Sequence, residues 1–213
     1  MSTPRRSIRR NNKSTAFCIK NIPKFLTNPI RKSVGTLSWT MRRVKKSIEL
    51  YLTSGDGKSV FLMSAQRTLS GFTMKSVNKN EIARLKIEEF GTMYSLSDST
   101  RDKEYVGHVQ FAKTKEGCRR TMLVLPDDDE DDIDAVQKFE NVAPKYNKQG
   151  KRFVLPLGQF AVTSVKNTVV KSGRKTIWSV VKVAPDEFKL NMASPLSPMQ
   201  AFGFGIAALH MKY

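Results

Sequence analysis

Apolar and polar side chains alternate along several stretches of this chain, and turn residues separate those stretches. Residues 46–52 place Ile48, Leu50 and Leu52 on one face, residues 54–57 supply a glycine-rich turn, and residues 58–63 return. Residues 105–112 and 118–125 form a second alternating pair around the turn at 114–117. A period of two with hairpin-length turns is typical of antiparallel β-structure. The sequence therefore predicts a mainly β fold (a β-sandwich, a jelly roll or a compact α+β sheet) with one or two short helices and a flexible basic N-terminal arm.

The remaining elements are assigned from composition and capping signals. Stretches rich in β-branched and aromatic residues predict further strands over residues 37–41, 152–157, 159–170, 175–183 and 202–211. Asn80, followed by Glu81, predicts the start of a short helix that ends at Gly91. The acidic run that begins at Asp127 predicts a second helix from about Asp131 to Val142.

Positive charge is concentrated at the beginning of the chain. The formal net charge is +18, and the first 48 residues hold thirteen Lys and Arg and not one Asp or Glu. A segment so one-sided has no internal counter-charge, so it predicts a polyanionic partner. Nucleic acid, an anionic membrane and an acidic protein tail all fit that description.

Three regions follow from these patterns. Residues 1–15 have almost nothing to bury and predict a disordered basic arm. Residues 16–36 mix basic and apolar side chains and predict a connecting segment, while residues 37–213 predict a single β-rich domain.

Two basic clusters and one apolar cluster are the candidate binding residues. Nucleic-acid contacts are predicted at Arg5, Arg6, Arg9, Arg10, Lys13, Arg42, Arg43, Lys45 and Lys46. The 42–46 cluster is also of the kind that a nuclear import receptor recognises. Contact with a membrane or a second subunit is predicted at Phe17, Ile19, Ile22, Phe25 and Leu26, although packing on the chain's own core is an open alternative.

No motif indicates catalysis. The stretch Gly55–Ser59 has a phosphate-loop ending, but Leu52 stands where the first glycine is needed. His108, His210, Cys18 and Cys118 lie at no metal-ligand or triad spacing, so no metal and no cofactor is predicted. A Mg²⁺-dependent nuclease built on Asp98, Asp102 and Glu104 is kept as an alternative without a motif.

The sequence is interpreted as that of a non-enzymatic assembly protein that binds nucleic acid electrostatically. A basic arm ahead of a β-rich body has the layout of a viral coat or nucleocapsid protein, which predicts a homo-oligomer. A viral matrix-type protein that bridges an anionic membrane and a ribonucleoprotein is the alternative, and a cellular chromatin or ribosome-associated protein is another. The predicted location is intracellular, in the virion and the host cytoplasm or nucleus, with no transmembrane segment.

Overall fold

A computed structural model describes residues 21–53, 58–127, 135–155, 157 and 161–212 of the 213-residue chain. Within these residues the chain is mainly β. The strands are β1 Leu37–Val44, β2 Ser47–Thr53, β3 Ser59–Arg67, β4 Gly71–Ser76, β5 Glu81–Glu88, β6 Met93–Asp98, β7 Glu104–Lys113, β8 Arg119–Pro126, β9 Val136–Glu140, β10 Lys145–Asn147, β11 Arg152–Val154, β12 Thr168–Ser172, β13 Lys175–Ala184 and β14 Glu187–Met192. The helices are α1 Ile22–Thr27 and α2 Pro198–His210, with 3-10 turns at Lys32–Val34 and Glu89–Gly91.

One antiparallel sheet holds all the strands except β10 and β11. Its order is β12-β13-β14-β1-β2-β3-β4-β5-β6-β7-β8-β9, so most neighbours are joined by hairpins. The two edge strands approach each other, because Asn141 bridges Val170 and the Val142 amide donates to the Val169 carbonyl at 2.7 Å. The sheet is therefore a nearly closed barrel, and its edge strands are partly paired instead of open to solvent.

Helix α2 fills the interior of this barrel-like sheet. Ser197 and Gln200 form a reciprocal capping box at its start, with Pro198 in the first turn. Nearly every later side chain of the helix is buried, and the Trp178 indole donates to the Ala201 carbonyl at 3.0 Å. A Cβ at Gly205 would lie 2.8 Å from the Met41 sulfur, so glycine lets the sheet approach the helix closely.

Part of the predicted connecting segment also packs on this core. Asn21 caps α1 by accepting from the Lys24 amide at 3.1 Å. Phe25 stacks on Trp39 with ring centroids 6.0 Å apart, and Leu26 is fully buried. The Ile30 amide donates to the Leu196 carbonyl at 3.0 Å, which ties this segment to the loop before α2.

The mainly β class and both hairpins are confirmed. The strands of the first hairpin are β2 and β3, and those of the second are β7 and β8, where the Gly117 amide closes the predicted turn on the Thr114 carbonyl at 2.9 Å. A β-sandwich or jelly roll is not confirmed, because one sheet curls around a helix instead of packing on a second sheet. Residues 1–20, 54–57 and 128–134, which include the basic arm, the glycine-rich turn and most of the acidic run, lie outside the described residues.

Three of the predicted elements are wrong. The helix expected after Asn80 is strand β5, since its charged side chains alternate outward while Ile82 and Leu85 face the core. The described part of the helix expected over residues 131–142 is strand β9. Of the predicted 159–170 strand, the described residues 161–170 are regular only from Thr168, where β12 begins. The final strand expected over residues 202–211 is helix α2, whose apolar side chains surround it because it lies inside the sheet.

Candidate functional site

Antiparallel strands place alternate hairpin turns at the same end of the sheet. Five of these turns lie at the end where α2 finishes, and we call four of them, residues 45–46, 68–70, 89–92 and 114–118, the rim. The fifth, residues 185–186, lies beside the first of the four. His210, the last residue of α2, accompanies them because its Nδ1 is hydrogen-bonded to the Tyr94 hydroxyl at 2.8 Å. The rim therefore brings together residues that are far apart in the sequence.

Two large apolar side chains project from neighbouring turns of the rim. Leu69 and Phe90 are both fully exposed, and Phe90 has a left-handed backbone with φ 57°. The turns are held together, because the Ile87 amide donates to the Ser70 carbonyl at 2.8 Å. Single exposed apolar residues are ordinary, but two at the apices of adjacent hairpins form a protrusion that can enter an apolar phase.

Basic side chains surround this protrusion. Exposed cations on or beside the four turns are Lys45, Lys46, Arg67, Lys113 and Lys115. The carboxylates there are fewer (Glu88, Glu89, Glu116 and, on the adjoining 185–186 turn, Asp186). Two of them are paired, Glu88 with Lys86 at 3.1 Å and Asp186 with Arg43 at 3.9 Å. The rim thus combines exposed apolar apices with an excess of positive charge.

Inside the rim, three further cations hold the end of α2. Arg43 and Arg119 donate to the Leu209 and Ala208 carbonyls, each at 3.0 Å, and the Lys166 ammonium donates to the Met211 carbonyl. Cations at a helix C-terminus offset the partial negative charge of its free carbonyls. These three residues fix the helix in the sheet, so their role is structural.

Burial changes the acid–base properties of this inner layer. It lowers the pKa of Arg119 to about 10, and burial together with the charges of Arg119 and Arg43 lowers the pKa of Lys166 to about 8. Burial also raises the pKa of Tyr94 to about 12. Burial, and then nearby cations, lowers the pKa of His210, so its ring is neutral near pH 7.

The structure divides the predicted basic residues into two groups. Arg42 pairs with Glu187 at 3.0 Å and Arg43 reaches the α2 terminus, so both are engaged within the protein. Lys45 and Lys46 are exposed in the rim. Arg5, Arg6, Arg9, Arg10 and Lys13 lie outside the described residues, and the nuclear-import interpretation stays a prediction.

The predicted apolar contact residues lie mostly against the core. Leu26 is fully buried, so it offers no surface to a membrane or a second subunit. Ile22 and Phe25 are partly buried against the core cluster. Phe17 and Ile19 lie outside the described residues, and their contact role stays a prediction.

Two of the three carboxylates of the nuclease alternative, Asp98 and Glu104, are paired with Arg101. Arg101 lies 3.6 Å from the buried Asp98 carboxylate and 3.7 Å from that of Glu104. Among the residues that the structure describes, no three His, Cys, Asp or Glu side chains form a group suited to a metal ion. In the same part of the chain, no helix has the length and apolar character needed to cross a membrane.

The sequence reasoning missed both apices of the rim. Phe90 was placed at the end of a helix because Asn80 resembled an N-cap, and Leu69 stands in an unremarkable Thr-Leu-Ser-Gly stretch. A large apolar residue flanked by small or charged turn residues was the available signal. Such a residue indicates a binding surface only when a second one lies on the neighbouring turn, and which turns are neighbours is known only from the fold.

Comparison with known proteins gives the chain a family context. Residues 107–211 match the model of the Tub family. Tubby protein homolog 1 of Caenorhabditis elegans is 29% identical over 85 residues, which cover 38% of this chain and 20% of that protein. The match therefore spans about a fifth of the length of that curated relative.

A solved structure of a protein from Arabidopsis thaliana is also similar. It covers 88% of this chain and 91% of its own, at 13% identity and a TM-score of 0.42. At that TM-score the similarity identifies no shared fold, and nothing further follows from it.

The family match overturns the functional interpretation of the sequence. The viral coat or nucleocapsid assignment is wrong, and so is the matrix-type alternative, because the matched family and the curated relative are tubby proteins. A location in a virion has no support for the same reason. The error arose because a basic arm ahead of a β-rich body is a layout that many unrelated proteins share. Neither match names an enzyme.

Proposed function

We propose that this chain is a tubby-like, non-enzymatic binding domain that docks on anionic membranes through its rim. The observation that carries the proposal is the pair of fully exposed apices, Leu69 and Phe90, on adjacent hairpins among basic side chains. The match of residues 107–211 to the Tub family supports a domain of the tubby type. Binding, rather than catalysis, suits a site that has exposed cations and, within the described parts of the chain, no assembled catalytic group.

The two components of the rim act together at a bilayer surface. An apolar side chain that leaves water contributes about 1.5–3 kcal/mol when fully buried, and less when it enters only the interfacial layer. A Lys or Arg near an anionic surface contributes about 1 kcal/mol, a term that salt weakens. Two apices and four or five cations are therefore enough for reversible binding without any spanning segment.

The position of the rim favours a defined orientation. The inner cations Arg43, Arg119 and Lys166 hold the end of α2, so the turns project from a fixed interior. The opposite end also carries turn lysines, Lys79 and Lys103, so charge alone does not select an end. The exposed apices Leu69 and Phe90 are what favour the rim.

Vesicle co-sedimentation tests this proposal. The chain is expected to bind vesicles of phosphatidylcholine with phosphatidylserine and to bind pure phosphatidylcholine weakly. The double variant Leu69→Ser/Phe90→Ser should lower partitioning at least tenfold, because insertion is lost while charge is kept. Lys45→Gln/Lys46→Gln should lower it about thirtyfold at low salt, at about 1 kcal/mol for each lysine, and the difference should shrink as salt is added.

Matched controls come from the other end of the sheet. Val60 is half exposed near the start of β3, and Val60→Ser should leave binding unchanged. Lys79→Gln/Lys103→Gln removes two turn lysines with left-handed backbones, as at Lys45, and should also have little effect. Binding that does not distinguish rim variants from these controls contradicts the proposal.

A further inference from the structure

A second stretch of the chain carries positive charge without any carboxylate. From Asn141 to Ala184 there are nine Lys and Arg residues and not one Asp or Glu. This stretch leaves the sheet after β9, forms the separate β10–β11 hairpin, and returns as β12 and β13 along the seam where the sheet closes. The seam and its hairpin are therefore a second basic surface, which adjoins the rim at the 114–118 turn.

The β10–β11 hairpin presents two aromatic rings to solvent. Tyr146 and Phe153 face each other directly in the strand register, with centroids 5.2 Å apart and an interplanar angle of 61°. They remain 54% and 41% exposed. The edge-to-face contact restricts the motion of both side chains, and each ring retains an exposed surface on which another flat ring can stack.

The turn of this hairpin is polar and locally fixed. The Asn147 side-chain oxygen accepts from the Gln149 amide at 2.9 Å and from the Gly150 amide at 3.1 Å. Lys148 and Lys151 stand on either side of that pair and are exposed, as is Lys145 on the first strand. None of the three lysines forms an ion pair with any residue that the structure describes.

A cleft of about 460 Å³ opens beside the aromatic pair. Phe153, Val154, Leu155 and Val162 supply much of its wall. The amides of Asn141 and Asn167, which also line it, are bonded to the protein's own backbone. The cleft therefore offers a mostly apolar surface of the size that accommodates a small flat group. Because the amides of Asn141 and Asn167 are already bonded to the backbone, they are not available to select one base over another.

We propose that the β10–β11 hairpin and this cleft bind single-stranded nucleic acid, which goes beyond membrane docking by the rim. Bases stack on Tyr146 and Phe153 or enter the cleft, and backbone phosphates lie against Lys145, Lys148 and Lys151. Aromatic platforms within a basic surface bind single strands with little sequence preference, because every base has a flat face. A duplex hides those faces, so it engages the lysines alone.

The hairpin differs from the rim in the position of its apolar side chains, and this position favours nucleic acid over lipid as the ligand. Its apex, residues 147–151, is Asn-Lys-Gln-Gly-Lys, and its aromatic rings lie back on the strands. An apex of that kind has no apolar group to place in a bilayer, whereas the rim has Leu69 and Phe90 at its apices. Bases that stack along the hairpin need aromatic rings on its strands, and Tyr146 and Phe153 lie on β10 and β11.

Fluorescence anisotropy with labelled oligonucleotides tests the proposal on the full chain. The probes are oligothymidylate and oligouridylate of about 20 nucleotides, long enough to exceed one binding site, together with an abasic strand and a duplex of the same length. We expect the single strands to bind about tenfold more tightly than the abasic strand. Tyr146→Ala/Phe153→Ala should remove that difference, because the abasic strand has lost the same stacking contacts.

The lysines are tested through the salt dependence of the same binding. Lys148→Gln/Lys151→Gln should reduce the slope of log affinity against log salt by about 1.4, at roughly 0.7 for each single-strand phosphate contact. Lys79→Gln/Lys103→Gln, at the opposite end of the sheet, should leave the slope unchanged. The basic residues 1–20 are present in every variant, so their contribution cancels in these comparisons.

Three results would overturn the inference. They are equal binding of oligothymidylate and the abasic strand, unchanged affinity in Tyr146→Ala/Phe153→Ala, and hairpin variants that weaken binding to anionic vesicles instead of oligonucleotides. Circular dichroism checks that the aromatic variant is folded, and if it is not, an unchanged slope in the lysine variant overturns the inference by itself. Leu69→Ser/Phe90→Ser should leave oligonucleotide binding intact, so failure of this inference and failure of membrane docking are distinguishable.

Discussion

Replacing Arg119 by methionine tests how α2 is held inside the sheet. Arg119 is 8% exposed, and it donates to the Ala208 carbonyl at 3.0 Å and to the Lys166 carbonyl at 2.7 Å. Its guanidinium also lies 5.3 Å from the centre of the Phe111 ring. Methionine keeps much of the volume but leaves both carbonyls without this donor.

Opposing terms set the size of the effect. A hydrogen bond from a charged donor contributes about 1.5–3 kcal/mol, and a desolvated cation–π contact about 2 kcal/mol. Against this, the lowering of the Arg119 pKa to about 10 corresponds to a cost of roughly 3 kcal/mol for burying the charge. With two such hydrogen bonds, the balance leaves an expected destabilisation of about 2–5 kcal/mol for Arg119→Met, or a melting temperature lower by about 4–20 °C.

Urea unfolding followed by tryptophan fluorescence measures this change, because Trp39 and Trp178 are buried. Arg120→Met is the matched control, since the neighbouring Arg120 is exposed and its ion pair with Glu140 lies on the surface. That variant should change the free energy of unfolding by less than about 1 kcal/mol. Equal destabilisation by the two substitutions, or no loss in Arg119→Met, refutes the role given to Arg119.

Three further predictions concern the same core. Trp178→Phe removes the buried donor of the Ala201 carbonyl, and chemical denaturation should show a loss of about 1–3 kcal/mol. The pKa of His210 is lowered in the folded state, so the unfolded chain takes up the proton first as pH falls through 6.5. The melting temperature should therefore decrease from pH 7 to pH 5, and His210→Gln should flatten that decrease. Gly71→Ala would bring a Cβ to 1.9 Å from the Leu85 carbonyl oxygen, so it should cost more than 2 kcal/mol, whereas Ser70→Ala should not.

Local patterns were sufficient for the hairpins. In β2 and β3 the alternating apolar residues and the intervening turn lie within 20 residues, so the information that defines the pairing is itself local. The same holds for β7 and β8, whose turn closes between Thr114 and Gly117. Sequence reasoning succeeds where neighbours in space are neighbours in the chain.

The wrong predictions for α2 and β5 have one physical cause, which is that tertiary contacts prevailed over local sequence preferences. Helix α2 is apolar on every side because the sheet surrounds it, so the amphipathic period that identifies a surface helix is missing, although Ser197 and Pro198 marked its start. Strand β5 was taken for a helix because Asn80 and Glu81 are acceptable helix-start residues, and pairing with β4 and β6 prevailed over that preference.

Composition and short-range alternation are properties of neighbouring residues, so they were enough to establish that this chain is rich in antiparallel strands and carries an unbalanced positive charge. Tertiary contacts were needed to show that the strands close around α2, that Leu69 and Phe90 project from adjacent turns, and that Phe153, paired with Tyr146, borders a cleft. Those relations join residues distant along the chain, and closure of the sheet around its apolar helix is what brings them together.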